Sequence, residues 1–160
     1  MIERNPPYAL KSDGTKVPYE PGLGYKLGIG TYYIDVTMAD AVHSSVHCSW
    51  DATIVATSVD YEVSNLPSYA SLGMPYSDNS AAVDVALNAD ATSGVWQALD
   101  PSGGYTLTSG GTIATTTLAI AGGTAAGAFI DVTTAARRAR IGIVTTTGGY
   151  FRCNAHGKQS

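Results

Sequence analysis

Charge is the scarcest thing in this sequence. Only 14% of its 160 residues are Asp, Glu, Lys or Arg, against about a quarter in an average globular chain. Lys and Arg are missing altogether from Leu27 to Ala136. No basic groove for phosphate runs through the body of the chain, so nucleic acid is not an expected partner. Val, Ile, Leu and Phe together supply only a fifth of the residues. No run approaches the roughly 18 apolar residues of a membrane-spanning helix, and no membrane partner is expected. Met1 to Pro7 lack the apolar stretch that directs secretion. Two cysteines, Cys48 and Cys153, are too few for a disulfide scaffold. Folding in a reducing cytoplasm is expected, with a single bridge or two buried thiols left open.

What is abundant is small or aromatic. Ala, Gly, Thr and Ser make up almost half of the chain, and ten Tyr and two Trp supply the bulky anchors. Gly, Thr and Ser each lower helix propensity, which works against a helical bundle. From residue 31 onward, short runs of β-branched and aromatic residues alternate with turn residues. These predict strands near 31–37, 42–48, 53–61, 82–87, 94–99, 105–108, 112–120, 128–132, 138–145 and 150–155. Many short strands with regular turns predict a single antiparallel β-sandwich of jelly-roll-like type over residues 31–160. Thr133 to Ala136 allow one helical turn and no more. Residues 1–30 hold four of the seven prolines and Gly22, Gly24, Gly28 and Gly30. They read as an extended N-terminal arm, because proline blocks ladder hydrogen bonds and glycine weakens regular structure. Tyr8, Tyr19 and Tyr25 of this arm are its expected contacts with a neighbouring surface.

The sign of the charge changes along the chain. Ten acids lie in the middle stretch that lacks Lys and Arg, whereas Arg137, Arg138, Arg140, Arg152 and Lys158 close the chain without one acid. Apolar residues alternate with polar ones in Ala139–Ile143 and again in Phe151–His156, the period of a half-buried strand. Placing Ile141, Ile143, Phe151, Cys153 and Ala155 on one face predicts a hairpin with Ile143 opposite Cys153 and Arg140 opposite His156. Its outer face then collects Arg138, Arg140, Arg152 and Lys158. Like charges side by side call for carboxylates, from a neighbouring copy or from the acidic middle strands.

Reactive groups are few and badly placed for chemistry. His43 and His47 share a strand face, but strand parity turns Cys48 and Cys153 away from the histidines, so no metal site is expected. Gly22-Leu23-Gly24 and Gly28-Ile29-Gly30 lack the preceding strand and following helix of a nucleotide loop. No Gly-x-Ser-x-Gly elbow or kinase signature is present. With three His and two Cys, general acids and bases are scarce. The chain is expected to be no enzyme and to hold no cofactor.

Four segments of the sequence carry a resemblance. Ser49-Trp50-Asp51-Ala52-Thr53-Ile54-Val55, Val95-Trp96-Gln97, Ala139–Ile143 and the ending Phe151–Lys158 resemble small β-sandwich virion proteins of tailed bacteriophages. These include head-decoration (cement) proteins and head-fibre or spike proteins. The resemblance covers about two thirds of the chain, from Val42 onward, and leaves the N-terminal segment outside it. It implies a structural virion protein made in the host cytoplasm and carried on the capsid surface. Its partners would be itself, as a trimer by analogy with the threefold positions of shells, and the major capsid protein. The rival expectation is a carbohydrate-binding β-sandwich, with Tyr32, Tyr33, Tyr61, Tyr69, Tyr76, Trp96 and Tyr105 as a sugar platform.

Overall fold

A computed structural model describes residues 2–4, 6–38, 43–64, 87, 95–99, 106–109, 112–114, 117–132 and 138–158. The chain is all-β and antiparallel, as its composition predicts. Its strands are β1 (Ile2–Arg4), β2 (Tyr8–Lys11), β3 (Lys16–Glu20), β4 (Gly24–Leu27), β5 (Gly30–Asp35), β6 (His43–Trp50) and β7 (Val55–Ser64). They continue as β8 (Trp96–Ala98), β9 (Thr106–Ser109), β10 (Thr112–Ala114), β11 (Leu118–Ile120), β12 (Ala126–Val132), β13 (Arg138–Thr147) and β14 (Gly149–Lys158). Among the described residues Leu87 alone is helical, where a strand was expected, and every other regular residue is in a strand. The expected strand at 82–87 lies outside them except for Leu87, as does the turn at Thr133–Ala136.

The strands join in one sheet, in the order β10-β9-β12-β6-β14-β4-β3-β2-β5-β13-β7-β11, with β1 beside β14 and β8 beside β7. It curls into a half-barrel, so the two layers expected of a sandwich are continuous through the short N-terminal strands. The turning point is β3. Its first residues pair with β2 (Tyr8↔Pro18, Ala9↔Val17) and its last with β4 (Tyr19↔Tyr25, Glu20↔Gly24).

The first 30 residues are therefore not an extended arm. Their prolines and glycines make tight reversals between strands. Leu23 N–H donates to Glu20 O at 2.9 Å, with Pro21 second in the turn and Gly22 third at φ +79°, the arrangement that a type II turn requires. Gly24 follows at φ +100°, where a Cβ would meet the Phe151 carbonyl oxygen at 2.5 Å. Only glycine lets β4 approach β14 so closely. Ala9, Leu10, Tyr25 and Leu27 are buried in the core.

The expected terminal hairpin is likewise replaced. β13 pairs with β5 and β7, whereas β14 pairs with β6, β4 and β1. Ile141, Ile143, Phe151, Cys153 and Ala155 do share one core, but they meet across it from different parts of the sheet. The alternation demanded a common interior and did not demand a common ladder. Gly148 carries the crossover, and a Cβ there would lie 2.6 Å from Leu27 O. Asp51 holds the same end together. Its Oδ1 accepts from Thr53 N, Thr53 Oγ1 and Ile54 N, and its Oδ2 accepts from Tyr150 N at 3.0 Å. Burial alone would raise its pKa. The donors from Tyr150, Thr53 and Ile54 together pull it below the usual value.

Candidate functional site

Two clusters of functional side chains emerge, on opposite outer faces of the curled sheet. The first is centred on Arg140. Along β13, Ala139, Ile141 and Ile143 turn into the core, so Arg140 turns outward. Register sets it between Glu62 of β7 and Asp35 of β5. Yet it is fully buried, and Arg138 is 2% exposed. Trp96 of β8 and the Leu87 backbone help to close over the guanidinium. The Trp96 ring lies 4.4 Å away and the Tyr33 ring 3.8 Å away. Nε donates to Glu62 Oε2 at 2.9 Å, Nη2 to Glu62 Oε1 at 3.4 Å and Nη1 to Leu87 O.

The expected outward-facing basic patch is thus corrected for Arg138 and Arg140, which are interior. The expectation of an acid from the middle strands is met for Arg140 by Glu62. Stacking between two aromatic rings suits the weakly hydrated guanidinium, and the fork geometry suits the carboxylate. With its charge answered by Glu62, Arg140 binds the sheet to the segment that covers it. It offers no open site to an anion.

The second cluster lies on the outer face of β9, β12, β6 and β14. Val46, Cys48 and Trp50 point inward from β6, which leaves His43, Ser45, His47 and Ser49 outward. β14 and β12 flank this strand. Their register sets Arg152 opposite Ser49, Asn154 and Phe129 on either side of His47, and His156 and Asp131 on either side of Ser45. Lys158 pairs with His43 in the ladder. Phe129 is 47% exposed and stacks on His47, with ring centroids 4.3 Å apart and planes 12° apart. Arg152 Nε donates to Ser49 Oγ at 2.8 Å and Nη1 to Gly22 O at 3.5 Å. Burial first, then His156 and Arg152, push the His47 imidazolium toward its neutral form.

All three histidines of the chain stand on this face. The alternation in 43–50 made His43 and His47 neighbours, but His156 joins them only because β14 pairs with β6. Phe129 was missed because one aromatic in an alternating strand looks like core.

The three arm tyrosines do not form a common contact face. Tyr25 is buried and donates from its hydroxyl to Pro6 O, with the half-buried Tyr19 packed edge-on at 5.3 Å. Tyr8 lies under Lys16 Nζ at 4.7 Å. Of the expected sugar platform, Tyr32, Tyr61 and Trp96 are buried and Tyr33 stacks on Arg140. Tyr69, Tyr76 and Tyr105 lie outside the described residues. Cys48 and Cys153 face each other across the β6–β14 ladder, buried as free thiols. Their mutual hydrogen bond and then burial raise the Cys153 thiol well above its ordinary value, which keeps it protonated and unreactive. No protein-family model, curated protein or solved structure matches the chain.

Proposed function

We propose that this protein is a non-enzymatic structural component of a virus particle, a decoration or cement protein that binds the outside of a phage head. The observation that carries the reading is the open face of β9, β12, β6 and β14. It combines an exposed aromatic, Phe129, with short hydroxyl side chains and mixed charge. Such a surface suits docking against other protein surfaces better than it suits holding a small substrate. The groups with most chemical potential serve the fold instead. Arg140 and Glu62 form a buried pair, Asp51 clamps the crossovers, and the two thiols sit in the core. The resemblance to decoration and head-fibre proteins is the second support. The partners on this reading are further copies of the chain and the major capsid protein.

Co-sedimentation tests the reading. The purified protein, mixed with heads assembled without it, is expected to pellet with them and to saturate at a fixed ratio to the coat protein. Binding that never saturates, or no binding, contradicts the reading.

A further inference from the structure

The open face has a symmetry that the fold itself does not require. Asp131 stands one strand to one side of His47, level with Ser45. Arg152 stands one strand to the other side, level with Ser49. With strands about 4.8 Å apart and residues about 3.4 Å apart along them, each lies about 8 Å from His47, in opposite directions. His47 is the midpoint between an acid and a base. A twofold axis lying in the face, through His47 and perpendicular to that line, exchanges the two positions.

We propose that this face is an isologous interface, on which a second copy of the chain docks about a twofold axis through His47. Each Asp131 carboxylate meets the Arg152 guanidinium of the other copy, and the Phe129–His47 stacks pack together around the axis. Self-complementary charge is what a twofold contact between identical surfaces requires. Arg152 is held by Ser49 Oγ of β6 on one side and by Gly22 O of the β3–β4 turn on the other, and among the described residues no carboxylate forms an ion pair with it. β9, β12, β6 and β14, of four, seven, eight and ten residues, cover about 500 Å² in each copy. The pair buries about 1,000 Å², the lower bound for a specific interface, so the dimer is reversible. The proposal rests on the structural reading above only in taking the chain to work as assembled copies. It makes the contact twofold, which the analogy with threefold shell positions did not anticipate.

Acid weakens this interface. His47 meets its own copy across the axis, beside His156 and Arg152 from β14, His43 from β6 and Asp131 from β12. Glu3 of β1 and Lys158 of β14 stand in the ladder beside His156 and His43. Protonating His47 in both copies sets cation against cation at the axis, in a position where Asp131 of each copy is already engaged by Arg152 of the other.

Sedimentation velocity across the micromolar range is the test. At about pH 7.5 the wild type is expected to show a monomer–dimer equilibrium that weakens as pH falls into the range where His47 protonates, below the ordinary imidazole value of about 6.5. Phe129→Lys and Asp131→Arg sit at exposed positions and keep the fold, as circular dichroism will show. Each weakens the dimer by at least about tenfold, as does Arg152→Asp, and combining Asp131→Arg with Arg152→Asp restores it. A wild type that stays monomeric, an oligomer indifferent to Phe129→Lys, or a double variant no better than its parents overturns the interface. A monomer that still saturates phage heads refutes this contact and leaves the virion reading standing. A dimer that binds no heads does the reverse.

Discussion

Replacing Arg140 by methionine tests how the two outer faces differ. The side chain is fully buried, and its partner Glu62 is 9% exposed. Arg140→Met therefore leaves the Glu62 carboxylate buried beside Trp96 and Tyr33 without the guanidinium that holds it. Removing one partner of a buried pair costs about 3–5 kcal/mol. The two lost ring contacts add to this, and the apolar packing of methionine offsets part of the addition. A net loss of about 4 kcal/mol is expected, which lowers the melting temperature of a chain this size by about 8–16 °C. Chemical denaturation and thermal circular dichroism measure both. Adding Glu62→Leu removes the stranded carboxylate, and the double variant is expected to recover most of the loss, since apolar replacements of buried pairs are often neutral or better. The loss is also insensitive to salt, because the pair is shielded from solvent ions. A single variant that loses less than about 1 kcal/mol, or a double variant in which the two losses add, refutes the cage.

Deleting residues 1–25 removes β1 to β3 and the start of β4, including core residues Ala9, Leu10 and Tyr25. The truncated chain is expected to lose cooperative unfolding, and a truncated chain that melts like the wild type contradicts the placement of these strands. The two thiols are expected to resist an aromatic disulfide reagent in the native protein and to react together in denaturant. Rapid labelling of the native protein would place them outside the core. The Asp51 carboxyl is held below its usual range, so it contributes stability above about pH 4, its ordinary unfolded range. That contribution fades as pH falls through the lower folded value. Asp51→Asn is expected to destabilise the protein at neutral pH and to flatten its decline in acid. An unchanged acid limb would show that the clamp carries no such linkage.

Strand composition made most of the β-structure legible. The runs near residues 31–37, 42–48, 53–61, 128–132, 138–145 and 150–155 match β5, β6, β7, β12, β13 and β14 closely, because alternation and β-branching act locally. Pairing was not legible in the same way. An alternating strand states which side is interior and is silent on its neighbour, so β13 and β14 looked like a hairpin when they are joined by a crossover at Gly148. The prolines near the N-terminus were ambiguous for a related reason. Pro21-Gly22 marks a tight turn as readily as a loose arm, and Tyr25 and Leu27 lie in the core only because Gly24 lets β4 pass close to Phe151. Charge segregation did point to an acid for Arg140. It gave no hint of Trp96 and Tyr33, whose distance from Arg140 in sequence hides the cage. The open face was half visible, in the spacing of His43 and His47, and completed by partners that only the topology supplies.

We propose above that this chain is a structural part of a virus particle, carried on its outside. A quantitative protein inventory of gradient-purified phage particles from cells that express the chain tests it most directly. The protein is expected in a fixed ratio to the major capsid protein, accessible to antibody on intact heads. Particles that carry the full coat and none of this chain would contradict it.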